Sequence, residues 1–233
     1  MSEKKVFQAS PEAKGEAKKL RIFAVIAWLL AMAGQAYAIF NLISDETLMW
    51  LIGAIVVILI LAITGSTLWK KANRLDPASE KEPTRFFIQN QLGAIMGVLA
   101  FLPMVIMILN NKNISGKTKG IAGSIAAVAM VAAGLTGADF NPPSQEKYTK
   151  EINEQTAAAQ RLSIDSDNVY WSKAGNKYHA YDDCYHIKNK AVSNGSIKES
   201  WEQKGISELC KTCQKKAAKN SVSSGVEELI EAN

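Results

Sequence analysis

The sequence predicts a membrane all-α domain of four transmembrane helices, followed by a small α+β domain. Three observations lead there. Four long apolar runs fill the stretch between residues 21 and 140, while most of the charge lies in residues 1–20 and beyond 140. All three cysteines, Cys184, Cys210 and Cys213, fall in the last quarter of the 233 residues. Mean hydropathy over the whole chain is near zero because the two regions cancel.

The polar segment 1–20 reads as an N-terminal tail. The apolar runs cover about 22–40, 48–68, 86–109 and 121–138. At 1.5 Å per residue, about 20 residues cross a hydrocarbon core of roughly 30 Å. The first three runs meet that length. The fourth, rich in Ala and Gly, is short, and a buried or re-entrant helix is its alternative; its lack of any charge favours spanning. The polar lead and the length of the first run do not match a cleavable signal peptide.

Basic residues at the span ends predict the orientation. With the N-terminus inside, Lys4, Lys5, Lys14, Lys18, Lys19, Arg21, Lys70, Lys71, Arg74, Lys81, Arg85, Lys147 and Lys150 flank the inner ends. The outer loops then hold Lys112, Lys117 and Lys119, and the first loop, Asn41 to Thr47, has two acids and no base. The positive-inside rule therefore places both termini in the cytosol, with the plasma membrane as the expected location. No ionisable residue lies deep within a span, which argues against a proton relay or ion-coupled transporter.

Gly93 and Gly97 form a GxxxG pair, and Ala122, Ala126, Ala129 and Ala133 give the fourth span a similar face. Such faces let helix backbones approach closely, either within the bundle or in a homo-oligomer. Ser115-Gly116-Lys117-Thr118 ends like a phosphate-binding loop. The first glycine of that motif is missing, since Asn111 occupies its place, and no strand precedes it.

Asn141-Pro142-Pro143 stops the fourth helix, because proline lacks the N–H that a helix interior needs. Ser144 can cap a polar juxtamembrane helix within a 141–168 linker, and Ser163 to Asn168 reads as a turn-rich boundary. Val169-Tyr170-Trp171 and Lys177 to Ala180 read as strands around a Gly175-Asn176 turn. Ile197 and Trp201 give residues 196–203 a helical spacing that Gly205 ends. The acidic tail after 216 carries Val226-Glu-Glu-Leu-Ile-Glu, a candidate short helix.

A module this small buries too little apolar surface to stand securely alone. Cys210-x-x-Cys213 puts two thiolates on one turn, half of a tetrahedral zinc site. His179 and Cys184 are the best second pair, giving His-x4-Cys-x25-Cys-x2-Cys; His186 is the alternative nitrogen ligand. Four protein ligands imply one closed, structural Zn²⁺ and no catalytic residue, since a catalytic zinc keeps an open position. Asp182 and Asp183 read as turn formers.

Residues 169–216 resemble the zinc-binding domain of the Ada DNA-alkylation repair family. The strand pair, the helix ending at Gly205 and the closing Cys-Lys-x-Cys carry the resemblance. It implies the fold and the metal. The family's methyl-accepting cysteine is matched by His179, so methyl transfer is not expected.

Residues 168–220 hold ten lysines, no arginine and five acids, with several aromatics. This suits a solvated surface and, less well, nucleic acid or the anionic headgroups of the membrane, since no arginine offers a bidentate contact. The leading function is a non-enzymatic membrane protein displaying a zinc domain as a protein-interaction module. The lipid bilayer and an unidentified protein are its expected partners. The alternative is a membrane-tethered accessory that binds or processes nucleic acid.

Overall fold

The computed structural model describes residues 6–206 and 208–220. They divide into two compact units, one of residues 15–143 and one joining 6–14 to the stretch from Ser144 onwards. The candidate tail helix around Val226 lies outside the described residues.

The first unit is helical. Helices α1 (Pro11–Asn41), α2 (Leu48–Leu75) and α5 (Gly116–Gly137) are unbroken, whereas the third apolar run forms α3 (Pro83–Leu99) and α4 (Leu102–Asn110). The sequence reads this run as one helix. The break has a local cause at Pro103, which cannot donate to the carbonyl of residue 99 and crowds the preceding turn. Counting α3 and α4 together, four helical stretches are long and apolar enough to cross a membrane. Many of their aliphatic side chains point outwards, among them Val57, Ile60, Val128 and Leu135. Lipid suits so much exposed apolar surface better than water does.

Small residues bring the helices together. A Cβ on Gly97 would lie 2.6 Å from the carbonyl oxygen of Ala133, and one on Gly93 would lie 2.8 Å from that of Gly137. The GxxxG face is therefore occupied by α5 of the same chain. Polar groups add cross-links. The Ser66 hydroxyl donates to the Gly93 carbonyl, while Trp69 Nε1 and Asn73 Nδ2 both donate to the Gln89 carbonyl at 2.7 Å. Arg21 joins α1 to the end of α2 through the Asp76 carboxylate (2.9 Å) and backbone carbonyl (3.0 Å). At the opposite end, Asp45 accepts from Ser115, and the Thr118 and Ser115 hydroxyls with the Ser115 amide hold its carboxyl below the usual carboxylate range.

The second unit centres on four short strands: β1 (Val169–Ser172), β2 (Lys177–Tyr178), β3 (Val192–Gly195) and β4 (Glu208–Leu209). β1 pairs antiparallel with β3, β2 pairs parallel with β4, and a bridge from Tyr170 to His179 links the two ladders. Helix α7 (Ile197–Lys204) begins with a Ser196/Glu199 capping box and ends at Gly205, whose φ of 64° suits glycine. A last helix, α8, covers residues 211–220. The core contains Val169, Trp171, Tyr178, Ile197 and Ile206, each worth about 1.5–3 kcal/mol when buried.

Two segments expected to lie apart from this domain pack into it. Helix α6 (Gln145–Arg161) adds Ala159 to the core, and its Gln155 accepts from the Tyr178 hydroxyl at 2.9 Å. Burial pushes that hydroxyl up to about 12. The helix stops in a Schellman turn: Ile164 N–H reaches the Ala159 carbonyl, Ser163 N–H reaches Gln160, and Ser163 takes a φ of 53°. Upstream of α1, Phe7 sits edge-on to Tyr148 at 5.2 Å, and Tyr148 sits edge-on to Trp201 at 4.9 Å. The Phe7 amide donates to the Thr149 hydroxyl and the Ser10 amide to the Glu202 carbonyl, so the N-terminal segment clasps α6 and α7.

The bundle packing yields a direct test. Gly97→Leu should force α3 from α5 and cost about 1–3 kcal/mol or more, the usual penalty for overpacking. Gly53→Leu, where no atom lies within 4 Å of a Cβ, is the control. Thermal melts in detergent should separate the two, and equal melting would contradict this packing.

Candidate metal centre

The strands and α8 bring the four ligand candidates to one point. The Tyr170–His179 bridge fixes His179 at the end of β2, with reciprocal N–H···O bonds of 2.8 and 2.7 Å. Next to it, the Cys210 amide donates to the Tyr178 carbonyl at 2.8 Å, which sets Cys210 at the end of β4. Cys213 follows on the first turn of α8. Cys184 closes a turn from Tyr181 and opens the next, its carbonyl accepting from Ile187 and Lys188.

His179, Cys184, Cys210 and Cys213 are all buried, and their ligand atoms lie within 4.8 Å of one another. His179 Nδ1 is 3.2 Å from Cys184 Sγ and 3.8 Å from Cys213 Sγ; Cys184 and Cys210 Sγ are 4.0 Å apart. Thiolates about 2.3 Å from a tetrahedral ion stand roughly 3.8 Å apart, whereas a disulfide holds its sulfurs at about 2.05 Å. The three cysteines are free thiols. These four residues could hold a metal ion.

His186 stands outside the cluster. It is exposed and pairs its Nε2 with the Thr212 hydroxyl at 3.2 Å. Asp183 is held by Lys216 at 2.9 Å, and this hydrogen bond keeps its carboxyl below the usual range. Neither belongs to the group of ligand atoms.

The electrostatics favour a cation. Burial works against ionising Cys210, but amides of Cys213 and Thr212, the Cys184 thiol and the Thr212 hydroxyl outweigh it and hold Cys210 below the ordinary thiol value. Burial and the neighbouring Cys184 push Cys213 upwards. Without a cation, three thiolates in this space repel one another, whereas a divalent ion offsets their charge. Burial, then His186 and Lys190, lower the His179 pKa, so its imidazole stays neutral and able to ligate to a lower pH than usual.

The sequence did not single out Thr212 or the α8 amides as partners of Cys210. The signal was a run of helix formers after Cys213, which makes residues 211–220 a helix and turns its first amides onto the sulfur. Nor did it indicate β3 and β4, whose compositions are poor in β-branched residues. Compared with family models, curated proteins and solved structures, the chain gives no match. Among the described residues its distinguishing features are four helical stretches long and apolar enough to cross a membrane and a buried cluster of one histidine and three cysteines.

His179→Ala should lower the bound metal per chain several-fold, and His186→Ala should leave it unchanged in elemental analysis. The reverse result would reassign the nitrogen ligand. Acidification should release metal because protons compete for the thiolates and, at lower pH, for His179. Metal retained at pH 4 would contradict thiolate ligation.

Proposed function

We propose that this is a plasma-membrane protein whose four spans anchor a cytosolic, structural zinc domain that serves as a protein-interaction module. The observation that carries this reading is the buried cluster of His179 with the three cysteines. Three thiols and one imidazole suit Zn²⁺ in a closed tetrahedral site. Such a site fills every coordination position with protein atoms, so the metal stabilises a surface rather than performing chemistry. The strand pair, α7 ending at Gly205 and the closing Cys-x-x-Cys accord with an Ada-type domain in a His-Cys-Cys-Cys variant, without the methyl-accepting thiol.

Two observations support the orientation. The clasp of Phe7 on Tyr148 and Trp201 suits an N-terminal segment and a zinc domain on one side of the membrane, as four crossings would allow. Basic residues then favour the cytosol for that side. There thiols remain reduced, as a zinc thiolate site needs.

A module of this kind offers a partner surface beyond the metal. The β3 edge exposes Val192, and Tyr185 is 85% exposed on the turn between Cys184 and His186. An edge strand beside an exposed aromatic suits an extended peptide from another protein.

The test is cross-linking of the full-length protein in its native membrane, followed by identification of its partners. The wild type should carry one zinc per chain and a reproducible partner. Cys184→Ser with Cys213→Ser should remain in the membrane but lose the zinc and the partner together. A partner retained in full after metal loss would sink the interaction-module reading.

A further inference from the structure

Beside the metal centre lies a cavity of about 380 Å³, whose walls include Lys177, His179, His186, Lys190, Cys210 and Lys211. Two adjoining hollows share Lys190 with it. One adds Lys173 and the other adds Tyr185 and Lys188, making one trough along the domain. No Asp or Glu lines any of the three hollows among the described residues.

Of the five acids among residues 168–220, Asp182 lines none of the three hollows and the other four are engaged. Asp183 pairs with Lys216, Glu202 with Lys198, and Glu199 caps α7. Glu208 reaches Lys177 and its charge also acts on Lys211, as that of Asp183 acts on Lys188; Lys173, Lys188, Lys190 and Lys211 make no ion pair among the described residues. The metal centre does not account for this surplus. A divalent ion with three thiolates carries one net negative charge, which a single lysine balances. Three of the four unpaired lysines remain.

Gathering like charges around a concavity is unfavourable unless an anion offsets it. The kind of anion follows from the donors. Residues 162–233 contain no arginine, so the trough lacks the planar fork that grips carboxylates and phosphates bidentately, and recognition falls to lysine point charges. Lysine ammoniums act as point charges approaching from several directions, and the Ser172 and Thr212 hydroxyls and the Asn176 amide stand in the same wall. That set matches the tetrahedral oxygens of a phosphoryl group. The volume admits more than one such group, or one with a substituent attached.

We infer that this trough binds a phosphoryl dianion, as a phosphomonoester or diphosphate, belonging either to a soluble molecule or to a lipid headgroup. The inference rests on the lysine arrangement and holds whichever protein the domain engages.

The experiment uses the full-length, metal-loaded protein in phosphatidylcholine nanodiscs, titrated calorimetrically with pyrophosphate. Saturable binding at one site, weakening as salt rises, is expected. Lys190→Gln with Lys211→Gln should reduce affinity by about tenfold or more, since each removes a charge-assisted contact. Lys188→Gln with Lys190→Gln should act in the same direction. The control, Lys198→Gln with Lys204→Gln on α7, removes the same charge and should change affinity by less than about twofold. Metal content is measured for every variant, so loss of the metal centre is distinguished from loss of the anion site. Phosphatidic acid doped into the discs should displace pyrophosphate if the source is a headgroup; undiminished binding there assigns a soluble source. No saturable binding, or equal losses in the trough variants and the control, overturns the inference.

Discussion

Three sulfurs and an imidazole nitrogen lie within 4.8 Å of one another in the C-terminal unit, shielded from water. That crowding is tolerable only if the sulfurs are protonated or a cation draws them together. Elements with little claim to stability depend on the outcome. β2 and β4 are two residues each, and the turn between Tyr181 and Lys190 is mostly exposed and polar. A bound structural zinc contributes on the order of 10 kcal/mol or more, comparable with the whole stability of an ordinary domain. Here it would tie the end of β2, the following turn, the end of β4 and the first turn of α8 to one ion.

The lobe gains further support from chain segments that precede and follow the apolar helices in sequence. α6 supplies Ala159 and a hydrogen bond to Tyr178, the residue before His179. Phe7, Tyr148 and Trp201 stack edge to face and bring the N-terminal segment onto α7. The C-terminal lobe therefore extends beyond the residues that carry the candidate ligands, and the length between Ser144 and Ile164 contributes core as well as spacing.

Much of this was legible in the sequence, for physical reasons. Runs of about 20 apolar residues have few structural outcomes other than a long apolar helix, so the candidate spans stand out. Cys-x-x-Cys fixes two sulfurs on one turn whatever surrounds it. The strand at Val169 and the helix at Ile197 carry their own periodicity and caps. The break at Ala100 and Phe101 could have been read from Pro103, but proline is common in membrane helices and often only bends them. β3 and β4 were hidden because their residues have little strand preference, and pairing with β1 and β2 alone makes them strands. The Phe7 clasp was hidden because it joins residues about 140 and 190 positions apart, and no local pattern encodes such a contact. The lysine trough is of the same kind: residues 168–220 contain ten lysines, and only the fold shows that several of them converge beside the candidate metal centre.

X-ray absorption at the zinc edge of the purified full-length protein tests the central claim most directly, because it counts and identifies the atoms around the ion. The account predicts three sulfur neighbours at about 2.3 Å and one nitrogen at about 2.0 Å, with no exchangeable oxygen. A protein isolated without zinc that does not take it up, or a shell of oxygen and nitrogen alone, would contradict it.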